Sequence, residues 1–209
     1  MKKLKLIKYW NKFYAKNKQM KESSFARFIK RKIKNYSGKL IDIGCGNGRD
    51  SLFFSRNGQA VLGVDISKKA IANNSKISNN NLKFLRLDIA KTSFNRKFDY
   101  IYCRFFLHAI DHKDQQRLFN FIKKIKKKNT YCFFEFRNHN DKIFKKKTHN
   151  DFVEFEKGHY RRIINPLNLV EELKKNFDIK ILYLKSSKNL SIIKKDNPNL
   201  TRIIFNFRK

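Results

Sequence analysis

The 209-residue chain has little of what marks fibrous, linker-like or disulfide-rich proteins. Seven glycines and two prolines exclude a collagen-like or linker-like composition. The three cysteines, Cys45, Cys103 and Cys132, form no Cys-x-x-Cys pair, which disfavours both a disulfide framework and a zinc site. We therefore expect reduced thiols in a cytoplasmic protein and predict no metal site.

Long apolar runs are also lacking. No run approaches the roughly 18 residues that a membrane span needs. The N-terminal segment has a basic start but no apolar stretch or cleavage site of the kind a signal peptide carries. We expect neither a membrane span nor a signal peptide.

Acidic residues are scarce: 17 stand against 50 basic residues, which gives a net charge of +33. One interpretation is affinity for nucleic acid. The other is a lysine-rich surface of compositional origin, because the basic residues are spread along the whole chain and form no separate tail. Hydrophobic residues make up 41% and aromatic residues 14%, unlike a disordered polycation, so we expect a folded domain.

Apolar periodicity predicts strands that alternate with helices. The predicted strands are Lys39–Ile43, Ala60–Val64, Leu82–Leu87, Phe98–Cys103, Thr130–Phe136, Asp178–Leu184 and Thr201–Phe207. The predicted helices between them are Asp50–Arg56, Ser67–Ile77, Asp111–Lys127 and Pro166–Asn176. This order is typical of an α/β domain whose mostly parallel sheet is covered on both faces.

Two segments stand outside that alternation. Residues 1–36 read as helical and precede the first strand, so we expect them to form a cap. Residues 138–165 are polar and rich in His, Lys and Asn, and we expect a loop-like insertion there. We interpret residues 1–209 as a single domain.

The strongest motif is a glycine loop between the first strand and the first helix after it. Gly44, Gly46 and Gly48 follow a G-x-G-x-G spacing, with Arg49 next. This spacing differs from the G-x-G-x-x-G of dinucleotide-binding loops and from a P-loop. Neither a pyrophosphate nor a triphosphate is therefore the natural ligand.

Three acids accompany this loop at strand ends. Asp42, just before the glycines, suits a cationic group such as an amine or a sulfonium. Asp65 ends the second strand, the usual place for a carboxylate that binds a ribose diol. Asp88 ends the third strand and could accept a hydrogen bond from an adenine amino group. Open α/β sheets bind ligands at this edge.

This constellation resembles the class I S-adenosylmethionine-dependent methyltransferases. The resemblance implies a Rossmann-like sheet of seven strands in the order 3-2-1-4-5-7-6, with the seventh strand antiparallel and an N-terminal helical cap. It also implies S-adenosyl-L-methionine as cofactor and S-adenosyl-L-homocysteine as product. The implied cofactor-binding residues are Trp10, Tyr14, Asp42, Gly44, Cys45, Gly46, Gly48, Asp50, Asp65, Ile66, Asp88, Ile89 and Arg104.

The acceptor side lacks the N- or D-P-P-Y motif of amino-group methyltransferases. That place reads Cys103–His108, which disfavours methylation of bases or protein amides. Basic residues instead follow the fourth and fifth strands and close the 138–165 insertion, which we expect to lie over the acceptor site. Arginine suits phosphate or carboxylate groups. The candidate catalytic residues are Arg104, His108, Glu135, Arg137, His159, Tyr160, Arg161 and Arg162.

Simpler roles remain open for these residues. His108 could cap the following helix, Glu135 could pair with Arg137, and the arginines of the insertion could be solvated. Trp10 and Tyr14 could serve as a lid on the cofactor or merely dock a helix. We interpret the remaining histidines as surface residues: His112, His139 and His149.

Further motifs are similar to a subgroup encoded with surface-polysaccharide biosynthesis. They are Tyr9–Tyr14, Ser23–Ala26, Arg104–His108, Glu135–Arg137, Gly158–Arg162 and Lys194–Pro198. This resemblance implies methylation of an oxygen on an anionic small-molecule or saccharide-linked acceptor, either a phosphate-type group or a sugar hydroxyl. The alternatives are an RNA methyltransferase and a non-catalytic cofactor- or partner-binding module. The sequence predicts no oligomeric state.

Overall fold

A computed structural model describes residues 2–16, 21–33, 37–89, 94–144, 151–191 and 196–208. Its helices are α1 Lys2–Lys16, α2 Ser24–Lys32, α3 Arg49–Arg56, α4 Lys68–Asn74, α5 His112–Ile125 and α6 Pro166–Asn176. Its strands are β1 Lys39–Ile43, β2 Ala60–Asp65, β3 Leu82–Arg86, β4 Phe98–Arg104, β5 Lys126–Arg137, β6 Phe152–Glu156, β7 His159–Arg162, β8 Ile179–Ser187 and β9 Leu200–Phe207.

Seven of these strands form one sheet in the order β3-β2-β1-β4-β5-β9-β8. The pairs among β1 to β5 are parallel, whereas β9 runs antiparallel to both β5 and β8. The predicted Rossmann-like order, with its last strand reversed, is confirmed. The carboxyl ends of β1 to β5 therefore meet at one edge.

The two faces of the sheet carry separate apolar cores. Helices α5 and α6 cover one face, where Leu118 and Leu173 pack with strand residues such as Ile41. Helices α2 and α3 cover the other face, where Phe25 and Phe54 pack around Tyr102. Burial on both sides explains the near-continuous apolar runs of the central strands.

Side-chain caps fix where the helices begin. Ser67, the N-cap of α4, accepts a hydrogen bond from the amide of Ala70. Asp111 caps α5 and Asn165 caps α6, with Pro166 in the first turn. Helices α4 and α5 begin after the loops that follow β2 and β4 at the ligand-binding edge, so their caps fix where those loops end.

Two predicted elements needed correction. The helix predicted to reach Lys127 ends at Ile125, because Lys126 already pairs with Phe98 at the start of β5. The 138–165 segment is not merely a loop, since β6 and β7 form an antiparallel hairpin within it. Alternation of polar and apolar residues in Phe152–Glu156 carried that signal.

Some predictions fall outside the described residues, namely those on His149 and on the Lys194–Lys195 part of the tail motif. Within the described ranges, no helix is long and apolar enough to cross a membrane. Cys45, Cys103 and Cys132 are buried free thiols. His112 and His139 lie at the surface, as predicted.

Candidate active site

The glycine loop after β1 has a backbone that only glycine adopts readily. Gly44 has a φ of 74° and Gly46 a φ of 54°, both in the left-handed region. A Cβ at Gly44 would lie 2.6 Å from Cδ2 of Phe106, and one at Gly46 would lie 2.4 Å from Oη of Tyr14. The loop therefore keeps its backbone bare where neighbouring rings approach it.

A cavity of about 350 Å³ opens at this edge of the sheet, within the usual range of ligand pockets. It is bounded by the glycine loop, by the ends of β2 to β5, by α1 and by β7. The structure brings most predicted site residues to its wall: Trp10, Tyr14, Asp42, Gly44, Cys45, Gly46, Asp50, Asp65, Ile66, Asp88, Ile89, Arg104, His108, Arg137 and Arg161. The predicted residues that do not line it are Gly48, Glu135, His159, Tyr160 and Arg162.

Asp42 lies at the bottom of the cavity, 3% exposed. Its Oδ2 accepts a hydrogen bond of 2.6 Å from Oγ of Ser51. Burial raises the pKa of Asp42 to about 7, and the nearby carboxylates of Asp50 and Asp65 act in the same direction. A cationic ligand group placed here would restore the charged form.

Asp65 is fixed by two backbone amides. Its Oδ2 accepts from the amide of Gly46 at 3.0 Å, and its Oδ1 accepts from the amide of Ser67 at 2.8 Å. Burial raises the pKa of Asp65, and these two amide donors oppose that rise. The carboxylate thus ties the glycine loop to the start of α4.

Helix α1 covers the cavity and supports a lid role for Trp10 and Tyr14, both of which line it. Lys3 forms an ion pair of 2.9 Å with Asp88 at the end of β3. Asn11 accepts from Oγ of Ser67 at 2.8 Å, which holds the helix on the start of α4. These contacts place α1 directly over the strand ends.

Asp50 has a structural role besides lining the cavity. It accepts from the amide and hydroxyl of Ser23, both at 2.7 Å, and from Oη of Tyr102 at 2.8 Å. Ser23 is the N-cap of α2. The carboxylate therefore joins α2, α3 and β4 behind the glycine loop.

Arg104 and Glu135 form the centre of a buried ion network. Glu135 Oε1 accepts from Nε of Arg104 at 2.8 Å, and Oε2 accepts from Nε of Arg202 at 2.7 Å. Arg202 continues to Ser24 Oγ and the carbonyl of Leu190. Glu135 thus holds two guanidinium groups, of which Arg104 reaches the cavity wall.

The suggested pair between Glu135 and Arg137 is wrong. Arg137 instead binds both carboxylate oxygens of Asp141, at 3.0 and 3.1 Å, and also Asp196. Glu135 and Arg137 are two positions apart in β5, so their side chains lie on the same face of the sheet. They do not pair, because Glu135 already binds Arg104 of β4 and Arg202 of β9.

His108 does not cap α5, because Asp111 does so. The imidazole is fully buried in a short 3₁₀ turn, Leu107–Ala109. Its Nδ1 accepts a hydrogen bond of 3.1 Å from the amide of Arg137. Burial lowers the pKa of His108 well below its usual value, and the charge of Arg161 lowers it further.

The hairpin residues take different positions. Arg161 faces the cavity and lies over the Trp10 ring, 5.5 Å from its centroid. His159 stacks on Tyr9 at 4.3 Å, and Tyr160 stacks on Phe152. Arg162 is buried and donates to Gln115 of α5. Neither hairpin arginine is therefore a simple solvated charge, and three of the four residues anchor the hairpin.

Sequence reasoning missed Lys3, Phe106, Asp141 and Asp196 as residues of this region. Phe106 could have been found, because it lies inside the motif that follows β4. Of the two partners of Arg137, Asp141 is only four positions away in sequence, whereas Asp196 is 59 positions away and gave no local signal.

The sheet order and the strand-end cavity define a Rossmann-like methyltransferase fold. A family model described as a methyltransferase domain matches residues 14–180. The match spans most of the chain, so the chain belongs to this methyltransferase family, within the class I S-adenosylmethionine-dependent enzymes.

One curated relative is the mitochondrial ubiquinone biosynthesis O-methyltransferase of Schizosaccharomyces pombe, 31% identical over 100 residues. The match covers 44% of this chain and 35% of that protein, so the chain spans about a third of the relative's length. A methyltransferase structure from Methanosarcina mazei has a TM-score of 0.73 at 20% identity and covers 86% of this chain and 96% of that chain. A glycopeptide N-methyltransferase solved with S-adenosyl-L-homocysteine has a TM-score of 0.69 at 12% identity and covers 91% and 92%. Both show the fold.

The residues present fit S-adenosyl-L-methionine, the cofactor of this family. Three acids line the cavity, Asp42, Asp65 and Asp88, and they would suit the positive charge, the ribose diol and the adenine amino group of this ligand. The bare backbone of Gly44 and Gly46 forms part of the cavity wall. Apolar side chains such as Ile66 and Ile89 supply a flat wall for a purine.

Proposed function

We propose that this chain transfers a methyl group from S-adenosyl-L-methionine to an oxygen of an anionic small-molecule or saccharide-linked acceptor. The acceptor group is a phosphate-type group or a sugar hydroxyl of a surface glycan or its precursor. The observation that supports this most is the charge contrast within one cavity: four carboxylates line the glycine-loop end beside Arg49 and Lys3, whereas Arg104, Arg137 and Arg161 line the end formed by β4, β5 and β7.

The bound cofactor would supply a methyl carbon already activated by a sulfonium. The chain then has mainly to position the acceptor oxygen in line with that carbon, an effect worth roughly 7–11 kcal/mol. Arginine guanidinium groups suit this task, because their planar donors orient phosphate or carboxylate groups. Helix α1 would exclude water from the reacting atoms.

The proposed roles divide the predicted site residues into two groups. Those at the cavity wall would contact the acceptor: Arg104, His108, Arg137 and Arg161. Those behind it would position them: Glu135 through Arg104, and His159, Tyr160 and Arg162 through the hairpin. We propose that residues 1–209 form one cytoplasmic domain, with residues 1–36 as its cap and the hairpin as an insertion over the acceptor.

The similar proteins differ in the atom that they methylate. The S. pombe relative is an O-methyltransferase, whereas a structural neighbour is a glycopeptide N-methyltransferase. The residues after β4 lack the motif of amino-group methyltransferases. Oxygen is therefore our proposal for the reacting atom.

The test is release of S-adenosyl-L-homocysteine with a panel of acceptors: sugar phosphates, uncharged sugars and RNA. We expect turnover with the phosphorylated sugars and loss of it in Arg104→Gln. Turnover with RNA alone would replace this proposal by the RNA methyltransferase alternative. Failure to bind S-adenosyl-L-methionine at millimolar concentration in calorimetry would favour a non-catalytic module.

A further inference from the structure

The proton on His108 has only one position that its contacts allow. The amide of Arg137 donates to Nδ1 at 3.1 Å, so Nδ1 carries no proton. When Nδ1 of a neutral imidazole carries no proton, the single ring proton lies on Nε2. His108 is therefore a hydrogen-bond donor through Nε2, and the nitrogen that could act as a base is occupied.

That donor has no partner of its own. Nε2 of His108 is buried and makes no hydrogen bond within the part of the chain that the structure describes. A buried N–H without an acceptor is destabilising, and such an atom at a cavity wall needs an acceptor that arrives with a ligand.

Arg161 stands beside His108, and it also lacks a partner for its charge among the described residues. It lines the cavity, donates to the carbonyl of Tyr160 and lies over the ring of Trp10. Among the described residues, no carboxylate lies within ion-pair distance of it. Burial lowers the pKa of Arg161 to about 10, and the nearby Tyr9, Tyr14 and Glu156 offset this effect only in part.

The neighbouring arginines differ in this respect. Arg104 is compensated by Glu135, and Arg137 is compensated by Asp141 and Asp196. An incoming anion would compete with those carboxylates, but it would meet no competitor at Arg161.

We infer that His108 and Arg161 together form an anion-binding pair that selects an acceptor whose reacting oxygen is already ionised, such as a phosphate-type group, over a neutral hydroxyl. This inference rests on the proposed function. The ionised oxygen forms its bond to the methyl carbon as the carbon–sulfur bond breaks, and its negative charge and the sulfonium's positive charge cancel. No proton is released, so no base is needed.

The surroundings of His108 keep it neutral across the working pH range. The charged or titratable groups that face it are Arg161 and His159 from β7, Arg137 from β5 and Arg104 from β4. None of these is an acid, so each opposes protonation of the ring. Turnover should then show no loss on the acid side near pH 6.5, where an ordinary histidine base would become protonated.

The first experiment is nitrogen-15 NMR of the histidine side chains in the ligand-free protein, with His108→Gln to assign the signal. We expect the Nε2–H tautomer of His108 from pH 5.5 to pH 8. A proton on Nδ1, or titration of this ring near pH 6.5, would overturn the inference, and neither result depends on catalysis.

The second experiment uses inorganic phosphate as the probe and the fluorescence of Trp10, the single tryptophan, as the signal. At constant ionic strength, we expect a saturable change that Arg161→Gln and His108→Phe weaken by about tenfold or more, the size of one charge-assisted hydrogen bond. His108→Gln, which restores an N–H donor, should recover part of the loss. Arg27→Gln is the matched control, because Arg27 is exposed and far from the cavity.

Repeating the titration with S-adenosyl-L-homocysteine present separates the two proposals. If phosphate and S-adenosyl-L-homocysteine bind together, the pair serves the acceptor. If they compete, the pair holds the carboxylate of the cofactor, and the inference is wrong while the proposed function stands. If S-adenosyl-L-homocysteine does not bind at all, the proposed function itself fails.

Discussion

The two ends of the cavity are built in different ways. At the cofactor end, backbone amides and short-range contacts set the geometry, as in the Asp65 carboxylate held by Gly46 and Ser67. At the acceptor end, side chains from distant segments hold one another, as in Arg104, Glu135 and Arg202. The first kind of site can be read from local motifs, whereas the second depends on how the whole sheet assembles.

The largest effect should come from Glu135→Gln at the acceptor end. Two buried guanidinium groups would lose their shared counter-charge, which typically costs about 3–5 kcal/mol of the free energy of unfolding. Urea unfolding monitored by circular dichroism measures this loss.

The matched control is Asp99→Asn, which removes the partly exposed pair with Lys127 and should cost less than about 1 kcal/mol. Equal losses in the two variants would show that the Glu135 network contributes no more than a surface pair.

At the cofactor end, Asp42→Asn should instead raise the free energy of unfolding of the ligand-free protein at neutral pH. The folded pKa of about 7 lies above the 3.8 of the unfolded chain, so folding takes up a proton between these values. Asp42 therefore lowers stability progressively as pH rises through this window, and the loss is constant above pH 7. The variant should gain up to about 4 kcal/mol relative to the native protein between pH 4 and pH 8.

The measurement is urea unfolding of both proteins across that pH range. Asp99→Asn again provides the comparison. Partial burial raises the pKa of Asp99, but its hydrogen bond with Lys127 outweighs this effect and holds the pKa below its usual value. The change of its stability difference with pH should therefore have the opposite sign. A stability difference for Asp42→Asn that stays flat from pH 4 to pH 8 contradicts the assignment.

Asp65→Asn should weaken binding of S-adenosyl-L-homocysteine by about 10- to 100-fold, the value of one hydrogen bond to a charged group. An asparagine amide has one acceptor oxygen, so only one of the two backbone N–H groups that now donate to Asp65 would keep its partner, and the glycine loop or the start of α4 would lose an anchor. Isothermal calorimetry gives the affinity. Asp178→Asn, at an exposed position away from the cavity, should bind like the native protein.

The smallest effect should come from Lys3→Met. Lys3 pairs with Asp88, the carboxylate predicted to meet the adenine amino group. Removing this competitor should tighten S-adenosyl-L-homocysteine binding by up to about fivefold, because partly exposed ion pairs are worth at most about 1 kcal/mol. Lys12→Met, on the exposed side of the same helix, should leave the affinity unchanged. Weaker binding in Lys3→Met would mean that Lys3 supports the lid instead of competing for Asp88.

Sequence reasoning worked best where structure is local. Apolar runs predicted all seven strands of the sheet, and the G-x-G-x-G loop marked the place where left-handed backbone is required. It did not find the β6–β7 hairpin, whose strands are short and half exposed and so carry a weak period-two signal.

The acceptor end was predictable in residue type but not in pairing. Arg104, His108, Arg137 and Arg161 were expected near one another, and all four line the cavity. Their partners were not foreseen, because an ion pair depends on which carboxylate the fold brings within reach. Glu135 could pair with any of several arginines, and only the antiparallel return of β9 selects Arg202.

That return strand also constrains the order in which the chain can assemble. β9 lies between β5 and β8, and β8 pairs with β9 alone. The edge strand β8 therefore has no strand to pair with until β9 has been made. During synthesis, strands β1 to β4 and the glycine loop can associate while β8 still waits for its neighbour. Arg202 then closes the network with Ser24, 178 positions earlier, so a side chain of β9 locks the start of α2.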